Sequence, residues 1–85
     1  MRHPLHRRVR VVEKKLAREK ASGQAFKEAK LIEIDPRLWN RERLETLIHE
    51  HKHILFPEMS EYQVRRLARE MSDLVWEDGY RRIYA

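Results

Sequence analysis

The residues most able to do chemistry lie in the stretch "IHEHKHI", residues 48–54, which contains the pattern His-Glu-x-x-His as His49, Glu50 and His53. On a helix, histidines four apart stand one turn from each other, close enough to share one tetrahedral metal ion. The carboxylate beside the first histidine can then take a proton from a water that the ion activates. Composition alone, with five His and eleven Glu in 85 residues, would produce about 0.04 such matches by chance. His49 and His53 are therefore read as zinc ligands and Glu50 as a general base. The chain has no cysteine, which excludes disulfides and thiolate sites and leaves His, Asp and Glu, the ligand set of catalytic zinc.

These groups need a helix to carry them, and the flanking sequence supplies one. Over residues 41–55, Leu44, Leu47, Ile48, Ile54 and Leu55 fall on one side at about 100° per residue, with Asn40 as the expected cap and Pro57 as the stop. His49 and His53 project from the other side. His51 lies toward the apolar side and is read as a half-buried histidine, while Lys52 is read as a solvated charge. A second helix is expected from Ser60, because Ser60 and Gln63 form a capping-box signature. Its apolar stripe is Val64, Leu67, Ala68, Met71, Leu74 and Val75, and Gly79 stops it. Arg65, Arg66 and Arg69 read as a solvated basic face, and Trp39, Phe56 and Trp76 as packing residues.

Upstream, the periodicity changes to that of strands. Within residues 7–16, Val9 and Val11 alternate with Arg8 and Arg10, which suits a strand, although Val9, Val12 and Leu16 also fit a helix stripe; "ASGQAFKEA" reads as a glycine-containing turn, and "KLIEID" alternates Leu31 and Glu33 with Ile32 and Ile34. Pro36 closes that strand, since proline cannot donate to a ladder. The expectation is one α+β domain over residues 1–85: a frayed segment 1–6, two antiparallel strands within 7–35, and two helices within 40–79. At this length a single core leaves only a few kcal/mol of net stability, so a bound metal or a partner is a common staple.

Taken together, "IEIDPRL", "RLETLIHEHKHILFP" and "SEYQVRRLAREMSDLVW" resemble the compact zincin-type metallopeptidase domains of the SprT-like and ImmA/IrrE-like kind, in particular their small phage and bacterial relatives. The likeness runs from about residue 23 to residue 80. It implies a minimal zincin-like fold, Zn2+ as cofactor, a peptide or protein as substrate, His49 and His53 as ligands and Glu50 as base. It also implies a third ligand from the following helix, often a glutamate in gluzincin-like members. Glu61 opens that helix on the flank of its buried stripe and is the residue named here; Glu58 in the loop and Glu70 farther along the helix are the alternatives. Substrates of such domains lie along an edge strand, for which "KLIEID" is the expected rail.

Other partners follow from charge. Residues 1–20 hold eight Lys or Arg against Glu13 and Glu19, a net +6, so the rest of a sequence of net charge +5 sums to −1. That segment suits nucleic acid or an acidic partner. No apolar run reaches the roughly 18 residues of a membrane span, and a cytoplasmic protein is expected. A second copy or another protein is expected to complete the cleft if the small domain cannot. The competing reading is a catalytically inactive, zinc-stabilised interaction protein.

Overall fold

The structure is a computed structural model that describes residues 8–17 and 22–83. Three strands, β1 (Arg10–Glu13), β2 (Gly23–Phe26) and β3 (Leu31–Ile34), precede two helices, α1 (Asn40–Leu55) and α2 (Glu61–Glu77). The class is α+β. The expected frayed segment 1–6 lies outside the described residues.

The sheet departs from expectation in two ways. "GQAF" is a strand and not part of a turn: β2 pairs antiparallel with β3, Gly23 opposite Ile34 and Phe26 opposite Leu31. The turn is confined to residues 27–30, where Lys30 adopts φ 51° and donates its amide to Lys27 O at 3.2 Å. Because the hairpin occupies one side of β3, β1 can join only on the other, giving the order β1-β3-β2. There it runs parallel to β3, with Arg10 opposite Leu31, not antiparallel.

β3 is thus the central strand and carries the core. Ile32 and Ile34 are fully buried and pack with Ile54 of α1, with Val9, Ala25, Leu38 and Leu47 around them. The opposite face is polar but covered: Glu33 accepts from Gln24 Nε2 at 2.6 Å and lies 3.8 Å from Lys14 Nζ. β1 is an edge strand with all four residues exposed.

Asp35, at the end of β3, ties the crossover down. Its buried carboxylate accepts from the Leu16 amide at 3.1 Å and from the Arg37 amide and Nε at 2.9 and 2.8 Å. These bonds to Arg37 hold its pKa far below the ordinary carboxylate range.

The helices differ in how they begin. α1 follows Trp39, which is extended, and Asn40 itself enters with φ 52° instead of capping. α2 has the expected capping box: Ser60 Oγ accepts from Gln63 N at 3.1 Å, and Gln63 Oε1 accepts from Ser60 N at 3.3 Å. Gly79 follows α2 with φ +93°, a conformation that suits glycine.

α1 packs on β2 and β3 with one side and on α2 with another, whereas α2 touches neither sheet strand. The buried positions of α2 are Val64, Ala68 and Ser72, a line of every fourth residue. Met71 and Leu74, expected in the stripe, are 41% and 71% exposed, because α2 has one helix to cover and no sheet. Lys52 also departs from expectation. It is buried, with its ammonium 5.9 Å from the centre of the Phe56 ring. Trp39 and Phe56, expected to pack, are half exposed.

Replacing Asp35 by Asn removes a carboxylate whose pKa falls on folding. Stability from such a group is present above its unfolded pKa of about 3.9 and is lost as pH drops below that value. Asp35→Asn should therefore lower Tm at pH 7, with the deficit narrowing in melts taken below about pH 4. A deficit independent of pH would assign Asp35 a packing role only.

Candidate metal centre

The reversal between the helices brings three side chains to one point. Pro57 stops α1, Phe56 N donates to Lys52 O at 2.8 Å, and Met59 N donates to Phe56 O at 3.0 Å. Glu61 then begins α2 beside the last turns of α1. The Nε2 atoms of His49 and His53 are 3.2 Å apart. Glu61 Oε1 lies 2.8 Å from His49 Nε2, and Oε2 lies 3.0 Å from His53 Nε2. The imidazole centroids are 5.0 Å apart with their planes at 65°.

Among the described residues this is the group of His, Asp and Glu side chains able to hold a metal ion. Metal–donor bonds of about 2.0–2.1 Å at tetrahedral angles require donors about 3.3 Å apart, and the observed triangle is a slightly contracted version of that. Converging lone pairs repel unless a proton or a cation sits among them. Three donors from two helices also match the ligand number of catalytic zinc, which keeps a fourth position open. The residues fit Zn2+.

Glu50 is not part of the triangle. It is 7% exposed and lies under β2: a Cβ on Gly23 would come within 2.9 Å of Thr46 Cγ2, 3.0 Å of Glu33 O and 3.2 Å of Glu50 Cγ. Only glycine lets the strand approach this closely. Burial raises the Glu50 pKa, His49 and His53 oppose the rise, and Glu61 adds to it. A raised pKa makes a carboxylate a stronger base for proton transfer than an exposed one.

His49 and Glu50 border an open cleft of about 430 Å³. Ser22 and Gly23 of the sheet edge form one wall, and Arg65 and Arg69 of α2 form the other. Arg65, Arg66 and Arg69 are exposed, as expected of a solvated basic face, and two of them also border the cleft. Arg65 is one turn after Glu61, 3.8 Å from its Oε1, and Arg69 is one turn farther, 3.9 Å from Glu45 Oε2. The i, i+4 spacing from Glu61 is the sequence signal for this placement. Arg41 bonds both Glu45 and Asp73 and clamps the start of α1 to the end of α2.

The remaining site expectations sort by distance. His51 is half-buried, as expected, and burial lowers its pKa, with Lys52 contributing. Glu58 and Glu70, the alternatives to Glu61, lie outside the triangle. "KLIEID" is not an edge, because β3 is paired on both sides; β2 is the edge beside the cleft. Comparison with models of protein families, with curated proteins and with solved structures finds no match.

Zn2+ at a hundred times its Kd should add about 2.7 kcal/mol of stability, roughly 10 °C or more in Tm for a domain this small, and EDTA should reverse it. Glu61→Ala should weaken zinc binding by more than the ~10–100-fold typical of an outer-sphere partner. Glu58→Ala and Glu70→Ala should bind as the parent does. Titration against a competing chromophoric chelator measures all four proteins.

Proposed function

We propose that the protein is a zinc-dependent, gluzincin-like peptidase with His49, His53 and Glu61 as ligands and Glu50 as general base. The observation that carries this reading is the convergence of His49, His53 and Glu61 beside a buried Glu50 that borders a cleft. Zinc, when bound, supplies Lewis acidity that polarises a carbonyl and acidifies water.

The protein's own residues do the rest. Glu50 accepts the proton of the attacking water and returns it to the leaving amine, the cycle expected of a carboxyl whose pKa is raised by burial. A peptide substrate adds to the sheet along β2. In the antiparallel ladder, Ser22 accepts from the Asp35 amide at 2.9 Å, so the alternation turns the peptide groups of Gly23 and Ala25 to the outer edge. Main-chain hydrogen bonds there fix an extended peptide without demanding its sequence, and Gly23 sets it directly over Glu50. Arg69, held at Glu45, forms the far wall.

The cleft is open and has sheet residues at one end only, which favours a second reading in which a partner protein, or a second copy, completes it. The same openness would suit a zinc-stabilised interaction module without catalysis. Half of the basic segment 1–20 falls outside the described residues, but Arg8, Arg10, Lys14 and Lys15 are exposed, as contact with nucleic acid or an acidic partner would need. No helix among the described residues is long and apolar enough to cross a membrane.

Glu50→Gln separates the catalytic reading from the interaction module. The variant should retain zinc, because Glu50 is outside the ligand triangle, and should lose about 10²–10⁴-fold in the rate of hydrolysis of an unstructured protein such as casein. Equal rates in the two zinc-loaded proteins would sink the peptidase reading while leaving the metal centre intact.

A further inference from the structure

A second cavity, of about 290 Å³, lies on the opposite flank of α1 and shares no lining residue with the cleft. Leu44 and Leu47 of α1 and Val75 and Trp76 of α2 form its apolar walls. Arg43, Arg81 and Arg82 also line it, so an apolar chamber is ringed by three guanidinium groups.

Arg43 is the unusual one. It is 9% exposed, and its Nε is buried with no hydrogen-bond partner. The nearest acid is Glu13 of β1, whose Oε2 is 3.7 Å away, too far for a hydrogen bond. That same oxygen accepts from Arg82 Nη1 at 3.4 Å. Arg81 lies over the Trp76 ring, 3.4 Å from its centroid, and donates to the carbonyls of Trp76 and Tyr80 at 2.7 and 2.9 Å. One carboxylate therefore serves two of the three cations, and a buried charged donor is left unsatisfied, which folded proteins seldom keep without use.

We propose that this cavity binds a carboxylate carried on a compact apolar or aromatic group, the anion at Arg43 and the apolar part against Leu44, Leu47, Val75 and Trp76. A neutral apolar molecule would fill the walls and leave Arg43 unsatisfied. A bare inorganic anion would satisfy Arg43 and leave the walls empty. Only the combination meets both, and it is the chemistry of a free apolar carboxylic acid and equally of the apolar C-terminal residue of a peptide.

The test is titration of the full-length protein, with and without Zn2+, followed by NMR shifts of the Trp76 indole N–H. N-acetyl-phenylalanine should shift that signal saturably, N-acetyl-phenylalaninamide should bind at least about tenfold more weakly, and Arg43→Met should weaken the acid by a similar factor. If triglycylphenylalanine binds as well as the small acid, the ligand is the C-terminal residue of a peptide; if it binds tenfold more weakly, the ligand is a free acid. The proposal is overturned if the acid gives no saturable shift at Trp76, if acid and amide bind equally, or if folded Arg43→Met binds the acid as the parent does. Should Arg43→Met fail to fold, the comparison of acid with amide on the parent decides alone. Zinc should leave every value unchanged.

Discussion

Five residues, 56–60, must reverse the backbone between α1 and α2, and the candidate centre gains its third donor only through that reversal. His49 and His53 are brought together by helix geometry alone, but a third donor must come from another element. The link is short enough that the first residue of α2 faces the last two turns of α1, and that residue is Glu61. At the far ends of the helices Arg41 bridges Glu45 and Asp73, so the hairpin is fixed at both ends. The pair at the open end is partly exposed and contributes modestly by itself; its value is in holding the register that the Pro57 turn and the Ser60 cap begin. A longer or looser link would leave two histidines and a distant acid.

Local rules made the helical half legible. Ser60 and Gln63 satisfy one another's backbone partners wherever a helix starts with that spacing, Gly79 can take a positive φ at low cost, and His-Glu-x-x-His projects two rings from one face of any helix. Glu61 could be named for the same reason, since its place on the flank of Val64 and Ala68 follows from 3.6 residues per turn. The sheet was harder. "GQAF" contains a glycine and no alternation of apolar with polar residues, so nothing within it shows a strand; it becomes one by pairing with β3. The direction of β1 is likewise set by which edge of β3 the hairpin leaves vacant, a relation between distant segments.

The burial of Lys52 and the exposure of Met71 and Leu74 have a common origin. A helical wheel gives the apolar arc but not how much of it has something to pack on. α1 is covered on two sides, by the sheet and by α2, so even a lysine stem is buried along it. α2 is covered on one side only, and its arc narrows to Val64, Ala68 and Ser72, small enough for close approach of the two helices.

That asymmetry also explains where the chemistry lies. Sheet and α2 each pack on α1 but do not meet, so gaps open between them on both flanks of the helix. On one flank, the gap is floored by Glu50 and edged by Gly23, the position where absence of a side chain lets β2 sit on the helix and take water away from a carboxylate. The burial that raises the Glu50 pKa is thus a consequence of that close packing, whereas the imidazoles that oppose it come from its own helix. On the other flank, the gap is lined by apolar side chains of both helices, and the acid that approaches its arginines, Glu13, comes from the exposed edge strand β1. A helix wedged between two layers that do not touch is therefore enough to give a protein of 85 residues one polar recess and one apolar recess, with the same helix supplying side chains to both.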